Sequence, residues 1–593
     1  MIISPLHTPV PHLYGPQDAD EVRQQIDKDI QDLEDSVRQL KTRRNALAPV
    51  SRLPNELLYK IFTTFAGLEQ SDYINGTDIS WIRPITAVCS HWRAVALECP
   101  RLWSSIIFSR PSWAAEMLKR SKMAPLIIKA DLTYLTPKMV DAVQMALQHV
   151  SRIRELHLTA SKATMEKLID NLNEPAPLLQ SLCLSNPRYS HFLLDDGYTL
   201  PVNLFEHGRH HLQRLELVKC NVKWDSPLLN GLIHVKLHKT STMSRPSIAQ
   251  LLGALERMPR LETLDMEDSL PFLSDDASAT YDSGRVVNLS CLSLLRLSSG
   301  TLEIAFLLRH LSYPPTTSLN LRCLAEPSTD YNFSCIFPAI SFIGSGSEGS
   351  KPLQSLIILS MSPKSIRIAA WTASGCTDET TSAPQIDLEL HWYTIREDRA
   401  ETVMVEVCNS LPLSRLRTLS VYHLVQVAKN SWLNPFGRLA SLRSVHVRGP
   451  AAFGLALALS AEMSKDEGGQ QLQGKTVFFP TLRKLLIEDT DFGDEMRTEN
   501  FFEDLLDCLM DRCESKAEIR ELHLVECSRI SEAEVALLKE LVVDVVWDGI
   551  EQSPEDEDED ESGDSFDSIG WGFPFFAPDD ELDAESYLTY GPF

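Results

Sequence analysis

The chain has 593 residues, 43% of them hydrophobic, and a formal net charge of −26 from 82 acidic against 56 basic side chains. That length suffices for several domains or one long repeat array, and the charge excludes a partner of the phosphate-backbone kind, whose affinity comes from clustered Lys and Arg. The charge is uneven: residues 551–593 hold 15 acids and no Lys or Arg, so −11 remains for everything before them. The 12 cysteines are scattered without a Cys-x-x-Cys pair. A zinc site needs two close ligand pairs, so free thiols in a reducing compartment are expected, with no metal and no cofactor. The most apolar internal run, around 453–461, is far short of the roughly 20 residues that span a bilayer. The Asn-x-Ser/Thr triplets at Asn75, Asn288 and Asn332 then read as chance matches.

Residues 1–16 lack the basic-then-apolar order of a secretory signal and are expected to be disordered. The expectation is a soluble chain in the cytoplasm or nucleus. Residues 17–48 read as one amphipathic helix. Ile26, Ile30, Leu33, Val37, Leu40 and Leu47 fall at alternating four- and three-residue steps, a seam of about three heptads in which Arg44 takes one apolar position. Two readings stand: self-association through residues 26–47, or a single helix folding back on the module C-terminal to it.

The next stretch, 50–107, organises the rest. It opens Leu53-Pro54-Asn55-Glu56-Leu57-Leu58-Tyr59-Lys60-Ile61-Phe62. Pro54 suits a first helical turn, where a missing N–H is not needed. Leu57, Leu58, Ile61, Phe62 and Phe65 then read as one apolar face. Val88-Cys89-Ser90-His91-Trp92-Arg93 begins a second helix, and Cys99-Pro100-Arg101-Leu102-Trp103 ends it. So small a helical unit does not bury this much Leu, Phe and Trp alone. The surplus is either simply core or a partner surface.

In order, Leu53, Pro54, Glu56, Leu57, Leu58, Ile61, Phe62, Val88, Cys89, Trp92, Arg93, Pro100, Leu102 and Trp103 make up a pattern that resembles the F-box. The departure is the run 67–82, longer than the usual turn; Trp81, Ile82, Ile85 and Val88 are expected to restart the packing after it. The resemblance implies an F-box over 49–107 that docks a Skp-type adaptor, and through it a cullin, in a RING ubiquitin ligase. The contact is assigned to Leu53, Pro54, Leu57, Ile61, Phe62, Val88, Trp92 and Trp103.

From 108 to 549 a phrase recurs: an apolar residue, two spacers, an apolar, one spacer, an apolar. It reads Ile153/Leu156/Leu158, Leu179/Leu182/Leu184, Leu212/Leu215/Leu217, Leu232/Val235/Leu237, Leu261/Leu264/Met266 and Leu292/Leu295/Leu297. It continues at Leu353/Leu356/Ile358, Leu416/Leu419/Val421, Leu442/Val445/Val447, Leu482/Leu485/Ile487 and Ile519/Leu522/Leu524, with a weaker copy at Leu319/Leu321. The closing apolar-x-apolar points two side chains to one face of a short strand. Helical runs lie between copies, at 162–172, 247–258, 302–311, 400–411, 501–513 and 531–541. The phrase resembles the leucine-rich repeat.

The expected fold is therefore α/β: an N-terminal helix, a small all-helical F-box and an irregular leucine-rich-repeat solenoid, a horseshoe. The usual Asn or Cys after the last Leu is mostly absent; Cys220-Asn221 and Cys527 come closest. Insertions are expected near 328–351 and 371–384, the second covering a copy at Ile386/Leu388/Leu390. A doubly wound α/β enzyme is the competing fold, though its six or so strands are fewer and more β-branched. After a last strand near 542–547, residues 550–593 are expected to be a disordered acidic tail with interspersed aromatics, either solvated, a binding segment or a cap on the last repeat.

Little in the sequence points to bond chemistry. Gly344, Gly346 and Gly349 fit the letters of a dinucleotide loop, but Lys351-Pro352 stands where its helix must start. No Gly-x-Ser-x-Gly elbow, phosphate loop or His-Glu-x-x-His motif is present, and His210-His211 reads as a solvated edge. The function expected is a non-enzymatic recognition subunit in which the F-box holds the adaptor and the repeats hold an unknown protein client. The alternatives are an α/β hydrolase or transferase with an unrecognised site, and a scaffold whose F-box does not bind.

Overall fold

The computed structural model describes residues 16–71, 81–133, 136–170, 172–186, 197–205, 211–273, 284–325, 333–341, 343, 351–373, 383–393, 395, 398–425, 427–461, 477–493 and 500–550. The glycine-rich run 344–349, His210, most of both insertions, the N-terminal 15 residues and the tail from 551 lie outside them.

Four helices come first: α1 (Pro16–Ala46), α2 (Asn55–Ser71), α3 (Ile82–Thr86) and α4 (Ser90–Glu98). The strands follow as β1 (Ser105–Ile106), β2 (Leu126–Asp131), β3 (Ile153–Thr159), β4 (Ser181–Ser185), β5 (Tyr198–Thr199), β6 (Arg214–Val218) and β7 (Cys220–Asn221). Next are β8 (His234–His238), β9 (Thr263–Glu267), β10 (Val287–Asn288), β11 (Leu294–Gly300), β12 (Leu311–Ser312) and β13 (Ser318–Ala325). The last are β14 (Ser355–Ser362), β15 (Ser365–Trp371), β16 (Ile386–Trp392), β17 (Thr418–Tyr422), β18 (Ser444–Arg448), β19 (Lys484–Glu488), β20 (Glu521–Val525) and β21 (Asp544–Trp547). Apart from two small pairs, β5 with β7 and β10 with β12, the strands form one 17-stranded sheet.

The recurrent phrase lies on this sheet in register. Leu156 pairs with Leu182, Leu182 with Leu215, Leu215 with Val235, Val235 with Leu264, and Leu264 with Leu295. Each second apolar residue makes a parallel row beside it, from Leu158 to Leu297, and both rows are buried. Side chains on one face of a strand alternate with those on the other, so these rows form the core while Glu155, His157, Glu216 and Lys236 occupy the opposite face. The helices supply the other layer of the core, and two of them start as the sequence requires. Ser247 and Ser531 each accept the third backbone N–H of the helix, while Gln250 and Glu534 reach back to the cap.

Among the described residues the strand-then-helix alternation is not uniform. The β6–β8 connection holds the short β7 and a 3-10 turn (Pro227–Leu229) in place of an α-helix. The middle of the sheet is also reordered. β13 is followed in space by β16, then β15, then β14, then β17. β15 runs antiparallel to both of its neighbours. The copy at Ile386 sits beside the weak copy at Leu319, which is a full strand; residues 374–382 of the insertion expected to cover it lie outside the described residues.

One turn recurs without having been expected. The residue after each of seven strands takes a positive φ: Lys219, Lys239, Asp268, His423, Gly449, Asp489 and Glu526. In five of these turns a small polar side chain follows and is buried: Cys220, Thr240, Ser269, Thr490 and Cys527. Three of them fold back on the same carbonyl two residues earlier. The Ser269 hydroxyl donates to Glu267 O (2.8 Å), the Thr490 hydroxyl to Glu488 O (3.0 Å) and the Cys527 thiol to Val525 O (3.4 Å). Each turn closes its own strand end, so buried carbonyls stay paired.

The helix Ala451–Leu459 packs almost wholly inside, and its Gly454 lies against the backbone. A Cβ there would stand 1.7 Å from Val427 O. Elsewhere in a helix Gly→Ala gains about 0.5–1 kcal/mol. At Gly454 the sign reverses, because overpacking costs about 1–3 kcal/mol or more. Gly454→Ala is expected to lower the urea unfolding midpoint; an unchanged or raised midpoint would refute this packing.

Among the described residues, no helix is long and apolar enough to cross a membrane.

Candidate functional site

The N-terminal module is built on α2. Pro54 precedes the helix, and its carbonyl accepts the N–H groups of Leu57 (3.0 Å) and Leu58 (3.2 Å). The five apolar residues expected to share one face divide into two stripes. Leu58, Phe62 and Ala66, at four-residue spacing, turn inward and are buried. Leu57 and Ile61 point elsewhere and are 47% and 46% exposed. Residues one apart on a helix differ by about 100°, so a sequence apolar at 57, 58, 61 and 62 cannot bury both stripes against one neighbour.

The outer stripe lines a shallow apolar groove with Leu53, Lys60, Ile61, Thr64 and Phe65 around Leu57. Of the residues assigned from sequence, Leu53, Leu57 and Ile61 meet there. Pro54 is exposed at its helix-start position, and Val88 is 53% exposed ahead of α4; neither lines the groove. Trp92 is half-buried, its ring 5.0 Å from that of Phe62. Lys60, Thr64 and Phe65 complete the groove and were not assigned; Phe65, four residues beyond Ile61, carried the signal in its spacing.

Two assignments change. Phe62 and Trp103 are only 1% and 2% exposed, so both belong to the core and neither offers a docking surface in this conformation. The Trp103 indole N–H donates to Ala96 O at 2.8 Å, its ring meets Trp81 edge-on at 5.5 Å, and the Arg120 guanidinium lies 5.2 Å over it. Trp81 and Ile85 restart the packing after the long turn, as expected, whereas Val88 does not. At the start of α4 the Cys89 sulfur accepts the Trp92 N–H. The module then runs into the sheet without a break. Ser105 and Ile106 pair with Ile127 and Ile128, and one continuous core extends from Leu58 to Val542. The expected boundary at 107/108 marks no gap in packing.

The helix α1 does not fold back on this module. Ile26, Ile30, Leu33, Val37, Leu40 and Leu47 are all 47–77% exposed. At its end the Ser51 hydroxyl donates to Asn45 O (2.7 Å), which ties α1 to the turn ahead of α2.

The face of the sheet opposite the core is polar and cross-linked by charge. His238 Nε2 lies 2.7 Å from Asp265, Arg296 lies 3.2 Å from the same carboxylate, and Arg367 lies 2.9 Å from Asp387. A recess near its first strands is lined by Lys129, Asp131, His157, Cys183, Ser185 and Glu216. Burial pushes the Cys183 thiol up to about 11, so it is protonated and not an activated nucleophile. Burial likewise raises Cys220, Cys508 and Cys527 to about 12.

His446 sits between Tyr422 (3.0 Å at Nδ1) and Glu488 (2.6 Å at Nε2). The carboxylate can only accept, so Nε2 carries the proton, and in the neutral ring Nδ1 accepts from Tyr422. The His446 hydrogen bond holds the Glu488 carboxyl below its ordinary value of 4.5. The folded state therefore binds this proton less tightly than the unfolded chain. The resulting stabilisation is complete above 4.5 and is lost as pH falls through the lowered value. The stability gap between wild type and Glu488→Gln is expected to narrow as pH falls below 4.5. Urea midpoints measured from pH 7 to 3 check this, and a gap unchanged at pH 3 would refute it.

With this geometry in view, residues 50–109 match the family model described as F-box-like. The chain thus carries an F-box-like domain, made of α2, α3 and α4 with the 3-10 turn at Pro100–Trp103, and continues into a large parallel-rich sheet with helices. No curated protein matches it.

Proposed function

We propose that this chain is the substrate-recognition subunit of a Skp–cullin–RING ubiquitin ligase. The observation that carries the reading is the outer stripe of α2: Leu57 and Ile61 stand half-exposed and continuous with an apolar groove, inside a domain that matches the F-box-like model. A Skp-type adaptor covers that stripe, and the cullin is reached through the adaptor. The sheet and its helices act as a degenerate leucine-rich-repeat solenoid. The in-register apolar rows and the positive-φ turn repeated after seven strands support this. Its polar face holds a protein client, with mixed charge matching mixed charge.

The subunit performs no bond chemistry itself. It raises the local concentration of a client lysine near a ubiquitin-charged partner. The setting is the cytoplasm or nucleus, with neither nucleic acid nor membrane as partner.

Co-purification of the full-length chain with a Skp-type adaptor tests the first half of this reading. A stoichiometric complex is expected. Well-folded protein that forms none would reduce the F-box-like domain to a structural cap on the sheet.

A further inference from the structure

The apolar seam of α1 has no partner among the described residues, and its charge pattern specifies one. The seam alternates β-branched and leucine positions: Ile30 and Val37 in one set, Leu33 and Leu40 in the other. That alternation, broken by Ile26 in the leucine set, favours two strands in parallel pairs, so it supports the number of strands while the orientation rests on the charges. Ile30, Leu33, Glu34, Val37, Arg38 and Lys41 line a groove along the helix, of the kind that receives a facing side chain. Charge is biased along the axis: Asp27, Asp29, Asp32, Glu34 and Asp35, interspersed with Lys28 and with Arg38, which pairs with Glu34 and Asp35, precede a basic end of Lys41, Arg43 and Arg44.

Orientation follows from the flanking positions. In a parallel pair, Asp29 of one helix would face Glu34 of the other, and Arg44 would face Arg44 across the seam. In an antiparallel pair with Ile30 against Leu40 and Leu33 against Val37, Asp29 faces Arg43 and Asp27 faces Lys41. Two-fold symmetry makes each of these attractive contacts twice. The cost is one Glu34–Glu34 encounter at the midpoint. Arg44 then lies across from Ile26, where its aliphatic stem packs and its head reaches water.

We propose that α1 pairs antiparallel with α1 of a second copy of this chain. The helical overlap, residues 24–46, makes a rod about 35 Å long at 1.5 Å per residue. The short junction to α2 then places the two F-box-like modules at opposite ends of the rod. The inference is independent of what fills their grooves.

Light scattering after size exclusion of the full-length chain tests it. A mass twice the 66.7 kDa of one chain is expected, falling to one chain on dilution. Leu33→Asp with Leu40→Asp is expected to give one chain at every concentration. Orientation has its own arm. Asp29→Arg removes two attractions and creates two repulsions with Arg43, each exposed, so the dimer weakens roughly tenfold. Adding Arg43→Asp reverses both partners and restores it. A single-chain mass for the wild type at all concentrations would overturn the pairing. A dimer of the Asp29→Arg variant tighter than that of the wild type would overturn the orientation, because in a parallel coil the introduced cation would face Glu34 and replace a repulsion by an attraction.

Discussion

Replacing Leu57 and Ile61 together by Asp is expected to abolish co-purification with a Skp-type adaptor while the rest of the chain stays folded. Each of these side chains contributes roughly 1.5–3 kcal/mol when a partner covers it. Placing a carboxylate there also opposes burial, so a loss of at least about a hundredfold in affinity is the modest end of the range. Folding should be indifferent. Both residues are about half-exposed in the free chain, and the inner stripe of Leu58, Phe62 and Ala66 is untouched. The informative pair of measurements is a pull-down and a far-ultraviolet circular dichroism spectrum. Retained binding with an unchanged spectrum would sink the assignment of the groove.

Trp103→Ala is expected to do the opposite: destabilise without touching the docking surface. Removing a buried Trp side chain costs about 3–5 kcal/mol. Here it also removes one of the two hydrogen bonds to Ala96 O, the other coming from the Cys99 N–H, and the ring beneath Arg120. Trp103 lies two residues before β1, and the core is continuous, so the loss should spread into β1 and β2. Urea unfolding should show a lowered midpoint, and adaptor binding should return at low temperature, where the folded fraction recovers. A variant that binds poorly at every temperature with wild-type stability would restore Trp103 to the interface.

The periodic parts of this architecture were legible. An apolar residue at the first, fourth and sixth place of a phrase has one economical solution, a short strand with two side chains inward, and the strands from β3 to β9 that carry the phrase obey it. The ordered residues from Leu53 to Trp103 likewise marked the helical module. The inner stripe of α2 was not separable from the outer one. Leu57 and Leu58 have the same chemistry, and only the neighbours supplied by α4 and the Pro100–Trp103 turn decide which faces inward. β15 escaped for a different reason. Its sequence, Ser365-Ile366-Arg367-Ile368-Ala369-Ala370-Trp371, carries no leucine phrase, and its alternation serves two surfaces. Ile366, Ile368 and Ala370 enter the main core, while Ala369 and Trp371 join Ile357 in a small cluster on the other side.

The repeated turn was hidden because its positive-φ position is filled mostly by Lys, Asp, Glu and His rather than by glycine. The readable signal was the small polar residue after it, at 220, 240, 269, 490 and 527. The expected Asn or Cys was too narrow a description of that site, which accepts any short side chain able to reach a carbonyl.

The reordered middle of the sheet bears on how the chain emerges from the ribosome. Up to β13, each new strand of the main sheet can settle beside the one synthesised just before it. The next neighbour of β13 is β16, which pairs Ile386 with Leu319 and is translated only after β14 and β15 have appeared. β17 must then pass back to pair Leu419 with Leu356. At about 5–20 residues per second, the nascent chain holds an open strand edge at β13 for seconds before its partner exists. An unpaired edge is a template for wrong pairing. Among the described residues, the hairpin of β14 and β15 and the short helix Phe337–Ile340 are local structures that can form in that interval. The middle of the message is therefore where the order of synthesis and the order of the sheet part company.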